Sequence, residues 1–296
     1  MNSEKPVKTI IITGSSSGFG TLTAKALAIR GHNVIATLRD ATSRNKSVKN
    51  ELEAFAHHGN YKMQVIDLDV TSDKSVSDAI NAILNSHVKV DVLVNNAGVM
   101  NVGVTEAYSS SELQAQFEVN TFGPARMIRA ILPAMRAQKS GLIVNVSSLA
   151  GRLVFPFFGA YCASKFALEA LSEAYHYELS GLGIDSVIVE PGAFGTSLLS
   201  KSPRPHDMEI IAAYGDIGEI PEAMKAGFQS MYDSPEPPRP EDVSDAIVKL
   251  IEQTGKRPMR TVVMPKGMDF GVDQLNIATT VIQNTLLKNM KLDSMI

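Results

Sequence analysis

The sequence predicts an α/β fold in which about seven strands form one doubly wound parallel sheet with helices on both faces. Short runs rich in β-branched residues alternate with amphipathic helical segments along the chain. The runs are apolar at successive positions, as expected for strands that are buried on both faces. With 296 residues, 44% apolar and 20% charged, the chain can form one large domain with a sizeable core.

Seven segments have the composition of strands and follow one another in order. They are residues 8–13, 33–38, 62–67, 91–95, 141–146, 184–190 and 260–264. Three stretches between them place apolar residues at helical spacing, namely Val48, Leu52 and Phe55 before Gly59; Val76, Ile80, Ile83 and Leu84; and Val243, Ile247, Leu250 and Ile251 after Pro240. This alternation predicts right-handed crossovers between neighbouring parallel strands.

Two regions depart from the alternation. Residues 197–240 are rich in proline and also carry leucine, isoleucine, methionine and phenylalanine. A connection of this length is typical of a lid or a binding loop, so we expect a substrate-loop insertion here. The tail, residues 271–296, is apolar at helical spacing and is expected to form a helix that packs on the body or on another subunit. We interpret residues 1–296 as a single domain that carries both features.

Composition argues against several classes of function. The net charge is -3, so no basic surplus exists to neutralise a phosphate backbone, and nucleic acid is not expected as a partner. The single cysteine, Cys162, cannot form an internal disulfide, which is typical of a cytoplasmic protein. The first residues (MNSEKPVKTI) do not resemble a signal peptide, and no apolar run is long enough to span a bilayer. The scattered histidines predict no metal site.

Residues 13–20 (TGSSSGFG) lie directly between the first strand and a helical pattern. Gly14 permits a tight turn, Gly18 lets the backbone approach a pyrophosphate, and Gly20 lets the new helix sit close to the strand. The helix N-terminus then offers free N–H groups to an anion. We therefore expect a Rossmann-type dinucleotide site, with an ordinary turn as the alternative. The expected cofactor contacts in this stretch are Gly14, Ser16, Ser17, Gly18, Phe19 and Gly20.

The end of the second strand bears on which dinucleotide is bound. Arg39 follows Leu38, and a guanidinium can bind the 2′-phosphate of NADP through a fork of donors. A carboxylate at this position would instead accept hydrogen bonds from the ribose of NAD, and Asp40 follows immediately. The sequence thus favours NADP(H), with NAD(H) possible, and leaves open that Arg39 is only a solvated surface charge.

Several motifs occur together and in order: Thr13-Gly14-x-x-x-Gly18-x-Gly20, Asn95-Asn96-Ala97-Gly98, Asn120, Ser148, Tyr161-x-x-x-Lys165 and Pro191-Gly192. In this combination the chain resembles the short-chain dehydrogenase/reductase family over about residues 7–195. The stretch 34–40 (VIATLRD) further resembles the NADP-using branch that includes 17β-hydroxysteroid and retinol dehydrogenases.

Reduction of a carbonyl group needs a hydride donor, a proton donor and a group that polarises the carbonyl. Tyr161 and Lys165 are four residues apart on an expected helix and share a face. A tyrosine ordinarily has a pKa near ~10, and the adjacent ammonium is expected to bring it closer to neutral pH. The resemblance implies that Tyr161 transfers the proton, Lys165 binds the nicotinamide ribose, and Ser148 holds the substrate oxygen. Ser147 fits the family spacing less well.

The resemblance also assigns contacts around the cofactor. Asp69 would contact adenine, although it could instead cap a helix. Asn96 and Ala97 would line the adenosine-ribose side, although strand-end turn chemistry explains them equally. Thr196 resembles the threonine that meets the nicotinamide carboxamide. The remaining expected contacts are Pro191, Gly192 and Phe194, the last of which replaces a more usual aliphatic residue. Cys162 is interpreted as a buried structural thiol.

Asn120 and Pro124 lie within a helical pattern over residues 111–138. Because Pro124 lacks an N–H group, the carbonyl of Asn120 must find another partner. The resemblance implies that the main chain at Asn120 holds a water that contacts Lys165. We therefore expect a helix broken near Asn120, whose side chain is anchored to nearby backbone. The alternative is that Pro124 merely bends the helix around the core.

The expected activity is transfer of a hydride between NADP(H) and a bulky apolar ketone, aldehyde or alcohol. The residues that predict an apolar substrate, unless they only pack the core, are Leu149, Val154, Phe155, Phe157 and Phe158. Two other functions compete: a nucleotide-sensing regulator without catalysis, and a sugar epimerase or dehydratase on the same fold. The resemblance also implies a homodimer or homotetramer built by the helices within 111–138 and 160–180.

Overall fold

The seven predicted strands are all present in the computed structural model, which describes residues 6–87 and 89–295. Every strand boundary lies within one residue of its prediction. The strands are β1 (Thr9–Ile12), β2 (Asn33–Leu38), β3 (Met63–Asp67), β4 (Val92–Asn95), β5 (Gly141–Val146), β6 (Ile184–Pro191) and β7 (Arg260–Val263). They form one sheet in the order β3-β2-β1-β4-β5-β6-β7, with every neighbouring pair parallel. The predicted doubly wound parallel sheet is therefore confirmed.

Helices cover both faces of this sheet. They are α1 (Gly18–Ile29), α2 (Lys46–Gly59), α3 (Asp73–Ser86), α4 (Ser110–Phe117), α5 (Gly123–Gln138), α6 (Gly159–Ser180), α7 (Ser197–Ser200), α8 (Met208–Ala213), α9 (Asp216–Tyr232), α10 (Glu241–Glu252) and α11 (Val272–Asn289). Short 3₁₀ turns occupy Thr105–Ala107, Leu149–Gly151 and Asp293–Met295, and a π-helical turn occupies Glu118–Phe122.

Alternating strand residues contribute to two separate cores. On β1, Ile10 and Ile12 pack with α1, α2 and α10, whereas Ile11 packs on the opposite face with α3 and α5. The same alternation holds in β4, where Leu93 faces the second core. Because strands of this kind are buried on both sides, they read as continuous apolar runs in the sequence.

The two regions that break the alternation are both helical. The predicted insertion contains α7, α8 and α9 rather than an open loop. The predicted tail helix is α11, which begins after Gly271, a residue with φ of 72°. Its inner face packs through Val272, Asn276 and Leu287. Its outer face exposes Ile277, Val281, Ile282 and Leu286.

Helix α2 ends at Gly59, where the sequence indicates that a helix stops. The residue that caps it is Asn60, which adopts the left-handed conformation, with φ of 52°. Asparagine tolerates this conformation better than most residues with a side chain.

Within residues 6–87 and 89–295, every helix is too short or too polar to cross a membrane. In the same ranges, no group of three or more His, Cys, Asp or Glu side chains is placed to hold a metal ion. The expectation about a signal peptide concerns a segment whose first five residues lie outside those described.

A buried group of charged side chains joins the sheet to α6 and α11. We call it the Glu190 cluster; its members are Arg152, Glu169, Glu173, Glu190, Arg260 and Asn276. Arg260 on β7 donates to Glu169 (2.9 Å) and to Glu173 (2.6 Å), both on α6. Asn276 on α11 donates to Glu190 on β6 (2.6 Å) and accepts from Arg152 (2.9 Å).

Burial raises the pKa of Glu190 from 4.5 to about 8, and the neighbouring Glu169 carboxylate adds to the increase. Between these values the folded protein keeps a proton that the unfolded chain has lost. The free energy of unfolding should therefore decrease as pH rises from 4.5 to about 8 because of this group.

We expect Glu190→Gln, a neutral replacement of the same shape, to remove this contribution. Urea unfolding at several pH values should show the variant gaining stability relative to the native protein as pH rises, with the largest gain above pH 8. Glu51→Gln, which changes an exposed carboxylate paired with Lys25, is the control. A constant difference between Glu190→Gln and the native protein at all pH values would contradict the prediction.

Candidate active site

The predicted site residues gather at one edge of the sheet, where the parallel strands end. Gly14 follows β1, Arg39 follows β2, Asn96 follows β4 and Ser148 follows β5. The strand order reverses between β1 and β4, since β2 lies on one side of β1 and β4 on the other. A crevice outside the strand ends at such a switch point is where open α/β sheets bind ligands.

The glycine loop packs tightly against the loop after β4. A Cβ atom on Gly14 would lie 2.7 Å from the Cα atom of Ala97, and Gly14 has φ of +68°. A Cβ atom on Gly20 would lie 2.5 Å from both the Gly14 carbonyl oxygen and Asn96 Nδ2. Side chains at these two positions would push the loops apart, so steric contact requires glycine at both, and the positive φ also favours glycine at Gly14.

Asn96 holds the two loops together. Its Nδ2 donates to the carbonyl oxygens of Thr13 (2.9 Å) and Gly14 (3.1 Å). In return, Thr13 Oγ1 accepts from the backbone N–H groups of Asn96 and Ala97, both at 3.0 Å. The strand-end turn chemistry left open by the sequence is therefore present, and it is what shapes the glycine loop.

The N-terminus of α1 is suited to an anion. Its first residue is Gly18, with φ of +55°, and Ser17 at the cap makes no side-chain bond to the helix. The first turn carries no acidic residue. A dinucleotide pyrophosphate fits such a terminus, because its backbone N–H groups lack a side-chain cap and the helix dipole favours negative charge.

The loop after β6 lies beside this helix end. A Cβ atom on Gly18 would lie 3.2 Å from Thr196 Cβ, and Ser17 Oγ accepts from Ser197 Oγ at 2.9 Å. The buried Phe194 ring packs edge-on against Phe19, with centroids 6.1 Å apart. The structure therefore brings both loops to the same place. Ser16 is half-buried in the glycine loop, and Pro191 and Gly192 lead from β6 into the second loop.

Arg39 lies at the solvent-facing end of β2. Its guanidinium is half exposed and lies 3.7 Å from Asp40 and 4.0 Å from Asp69. Asp69 accepts hydrogen bonds from the backbone N–H (2.9 Å) and the hydroxyl (2.8 Å) of Thr71. The alternative that Asp69 caps a helix is wrong, because α3 is capped by Ser72. Arg39 and Asp69 thus flank one exposed position beyond the glycine loop.

Tyr161, Lys165 and Ser148 converge on the other side of the switch point. Tyr161 and Lys165 occupy successive turns of α6, and Lys165 Nζ lies 5.8 Å from the centre of the Tyr161 ring. The Ser148 hydroxyl lies close enough to the Tyr161 phenol to lower its pKa, and Ser148 Oγ accepts from Ala150 N at 3.1 Å. Lys165 Nζ donates to the Val146 carbonyl at 2.8 Å, which ties it to the end of β5.

Burial moves the two titrating groups in opposite directions. The pKa of Tyr161 is raised to about 12 because the phenol is removed from water, an effect that the bond to Ser148 only partly offsets. The pKa of Lys165 is lowered to about 8 for the same reason, opposed by Glu169. The expectation that the pKa of Tyr161 lies nearer neutral pH is wrong for this structure, because desolvation of the phenol is the largest influence on its pKa.

The helix is broken at Asn120, as expected. Residues Glu118–Phe122 form a π-helical turn in which the Gly123 N–H bonds to Glu118 O, and Pro124 is the second residue of α5. The Asn120 side chain accepts from Val99 N (2.9 Å) and donates to Val99 O (2.9 Å) and Ser164 Oγ (3.0 Å). The predicted anchoring of this side chain to nearby backbone is therefore observed.

An apolar cluster adjoins Tyr161. Its members are Met100, Val102, Ala150, Phe155, Phe158, Tyr161, Cys162, Leu199, Met224 and Phe228. Of the five predicted wall residues, Phe155 and Phe158 belong to this cluster. Leu149, Val154 and Phe157 lie outside it, and Val154 is 71% exposed. Cys162 is buried, and its sulfur accepts a hydrogen bond from Phe155 N, in agreement with a structural thiol.

Two neighbours of Tyr161 were missed by sequence reasoning. Tyr232, at the end of α9, is close enough to influence the pKa of Tyr161, and its ring stacks on Phe228 at 6.4 Å. Ser164 links Asn120 to α6 by donating to the Tyr161 carbonyl at 2.8 Å. Ser164 could have been noticed beside Lys165 in the sequence, whereas nothing local marks Tyr232.

Known proteins resemble this chain in sequence. A family profile described as short chain dehydrogenase matches residues 8–207. Retinol dehydrogenase 8 of Bos taurus is 36% identical over 256 residues, which cover 82% of this chain and 78% of that protein. A 3-ketodihydrosphingosine reductase of Bacteroides thetaiotaomicron is 38% identical over 63% of this chain, and the match spans 64% of the length of that relative.

Solved structures resemble it as well. A short-chain dehydrogenase from Streptomyces avermitilis has a TM-score of 0.74 and 32% identity and covers 97% of each chain. A metagenomic short-chain oxidoreductase in complex with NADP has a TM-score of 0.68 and 26% identity, covering 89% of this chain and all of its own.

Proposed function

The chain belongs to the short-chain dehydrogenase family of oxidoreductases, and we propose that it transfers a hydride between NADP(H) and a bulky apolar ketone or aldehyde and its alcohol. The observation that supports this most directly is the meeting of Ser148, Tyr161 and Lys165 beside an apolar cluster and next to the glycine loop. With a reduced nicotinamide pool, the direction in the cell is carbonyl reduction.

The protein's own residues would handle the proton and the substrate oxygen. The hydroxyl groups of Ser148 and Tyr161 lie near each other, so both would be able to donate to one carbonyl oxygen. Because its pKa is about 12, Tyr161 stays protonated at neutral pH and can act as the acid. When bound, the nicotinamide supplies the hydride. Lys165 would bind the nicotinamide ribose and favour the phenolate that forms after proton transfer.

The cofactor would lie across the strand ends. Gly14, Ser16, Ser17, Gly18, Phe19 and Gly20 are proposed to hold the pyrophosphate, and Asp69, Asn96 and Ala97 the adenosine. Pro191, Gly192, Phe194 and Thr196 are proposed to line the nicotinamide. Arg39 is proposed to bind the 2′-phosphate, and its half-exposed guanidinium is accessible for this contact.

The helices between residues 197 and 240 are proposed to cover the substrate within a single domain. Leu199, Met224 and Phe228 from this segment pack on the cluster around Tyr161. An apolar wall with few polar anchors suits a bulky apolar substrate. Relatives named as a retinol dehydrogenase and a 3-ketodihydrosphingosine reductase support the same substrate class.

Two further expectations remain part of the proposal. The Asn120 carbonyl is proposed to hold a water that relays protons to Lys165, since the π-helical turn and Pro124 together interrupt the ordinary bond ladder. A homodimer or homotetramer is proposed in the cytoplasm, formed through α4, α5 and α6. Phe122, Phe166 and Leu171 on these segments are partly exposed.

The purified protein should oxidise NADPH with hydrophobic ketones and aldehydes and not with small keto acids, as followed by loss of NADPH absorbance. Tyr161→Phe should lower turnover by ~10²-fold or more, the usual effect of losing an acid–base group. NADPH binding, measured by fluorescence, should be largely retained because only one oxygen is removed.

Tyr175→Phe makes the same chemical change on α6 away from the site and should leave turnover near that of the native protein. Activity confined to small charged substrates would contradict the substrate class. Near-normal turnover of Tyr161→Phe would contradict the role of Tyr161.

Arg39→Ala tests the choice of cofactor. Removing a charge-assisted contact should weaken NADPH binding by roughly tenfold or more while leaving NADH binding nearly unchanged. Dissociation constants for both cofactors measure this, with Arg44→Ala, an exposed arginine five residues later, as the control. Equal losses for the two cofactors would show that Arg39 does not meet the 2′-phosphate.

A further inference from the structure

The ammonium group of Lys165 is buried, and its charge needs a source of stabilisation. Lys165 is 5% exposed, and the hydrogen bond of its Nζ atom is to a neutral carbonyl, that of Val146. A buried ammonium is costly unless an opposite charge lies nearby. Among the described residues, the carboxylate that opposes the effect of burial on the pKa of Lys165 is Glu169, one helical turn further along α6.

Glu169 is itself fixed from several sides. It is 3% exposed, and its Oε2 accepts from Arg260 Nε on β7 at 2.9 Å. The carboxylate of Glu169 lies close enough to Glu190 on β6 to raise the pKa of Glu190. Glu190 therefore takes up a proton more readily than a free glutamate does, next to the Glu169 carboxylate that is paired with Arg260.

The second carboxylate oxygen of Glu169 is buried close to Gly151. Among the described residues, Glu169 Oε1 and Ser147 Oγ are both buried without a hydrogen-bond partner. A Cβ atom on Gly151 would lie 2.7 Å from Ser147 Oγ and 3.3 Å from Glu169 Oε1. Among the described residues, the carboxylate thus has one oxygen bonded to Arg260 and one that is buried beside Gly151 without a hydrogen-bond partner.

We propose that Glu169 is a positioning residue that keeps Lys165 charged without binding it, so that the remaining N–H groups of Lys165 stay available to the active site. The hydrogen bond to Arg260 keeps the Glu169 carboxylate from binding Lys165 directly. The negative charge of the carboxylate still stabilises the ammonium group one helical turn away. This proposal deepens the proposed function, since it concerns the same lysine.

The groups around Lys165 come from several elements and leave Glu169 as the source of the effect. Two uncharged side chains face Lys165. The ring of Tyr161 on α6 lies 5.8 Å from Lys165 Nζ. The side chain of Asn120 on the π-helical turn lies, like Lys165 Nζ, next to Gly98. Facing Glu169 are Arg260 from β7 and Glu190 from β6. Arg152, next to the 3₁₀ turn after Ser148, and Glu173 on α6 complete the charges of the cluster.

Glu173 provides a matched control. It also binds Arg260, at 2.6 Å, but it lies two turns from Lys165 and one turn beyond Glu169. Glu169→Gln and Glu173→Gln therefore each remove one carboxylate from the same guanidinium. A purely structural role predicts similar effects of the two substitutions, whereas the proposal predicts a difference at Lys165 alone.

The titration of Lys165 in the full-length protein measures this directly. Carbon-13 chemical shifts of labelled lysine, with the Lys165 signal assigned by its loss in Lys165→Arg, should titrate with a midpoint near 8 in the native protein. Glu169→Gln should move the midpoint down by about one pH unit, as expected for losing a nearby opposite charge. Glu173→Gln should leave it unchanged, and Glu169→Asp, which keeps the charge but draws it further from Lys165, should lower it by less than Glu169→Gln does.

If Glu169→Gln does not fold, the test uses Glu169→Asp alone. Its carboxylate lies further from Lys165, so the midpoint of the Lys165 titration should move down by less than about one pH unit. An unchanged midpoint would overturn the proposal. Equal shifts in Glu169→Gln and Glu173→Gln, or none in either, also overturn it. These readings need neither cofactor nor substrate. A protein without turnover would therefore refute the proposed function and leave the test of Glu169 intact.

Discussion

The close approach of two loops at the switch point of the sheet is the constraint on which the rest of the site depends. Gly14 and Gly20 leave no room for a side chain against Ala97 and Asn96. Asn96 then locks the loops with hydrogen bonds to Thr13 and Gly14. The start of α1 is thereby fixed next to the ends of β4 and β5, so the uncapped helix end and the side chains of Ser148, Tyr161 and Lys165 share one frame.

Helix α6 connects that frame to the charged interior. Tyr161, Lys165 and Glu169 occupy three successive turns, so the helix carries a proton donor, a buried cation and a buried anion in order. The two ends of this series have different partners: the Ser148 hydroxyl lies near Tyr161, whereas Arg260 donates a hydrogen bond to Glu169. The same low exposure that raises the pKa of Tyr161 lowers that of Lys165; the Ser148 hydroxyl opposes the first shift and the Glu169 carboxylate opposes the second.

The fold was predictable from sequence to within a residue at each strand, because strands such as β1 (Thr9–Ile12) are apolar on both faces and bounded by polar turns. The glycine loop and the Tyr161–Lys165 spacing were predictable because they are local. The direction of the Tyr161 pKa shift was not, since it depends on burial beneath α9. Tyr232 and the Glu190 cluster were also beyond reach, because their members are far apart in the chain and meet only through tertiary packing.

The Glu190 cluster explains why the tail helix bears on the site although it contributes no residue to it. Asn276 on α11 bonds to Glu190, which directly precedes Pro191 and the loop beside the glycine loop. Arg152, four residues after Ser148, bonds to Asn276 and to Thr279 of the same helix. Two loops of the site are thus attached to α11 by buried polar bonds. Because a buried polar group left without a partner is costly, displacing α11 would disturb both loops together.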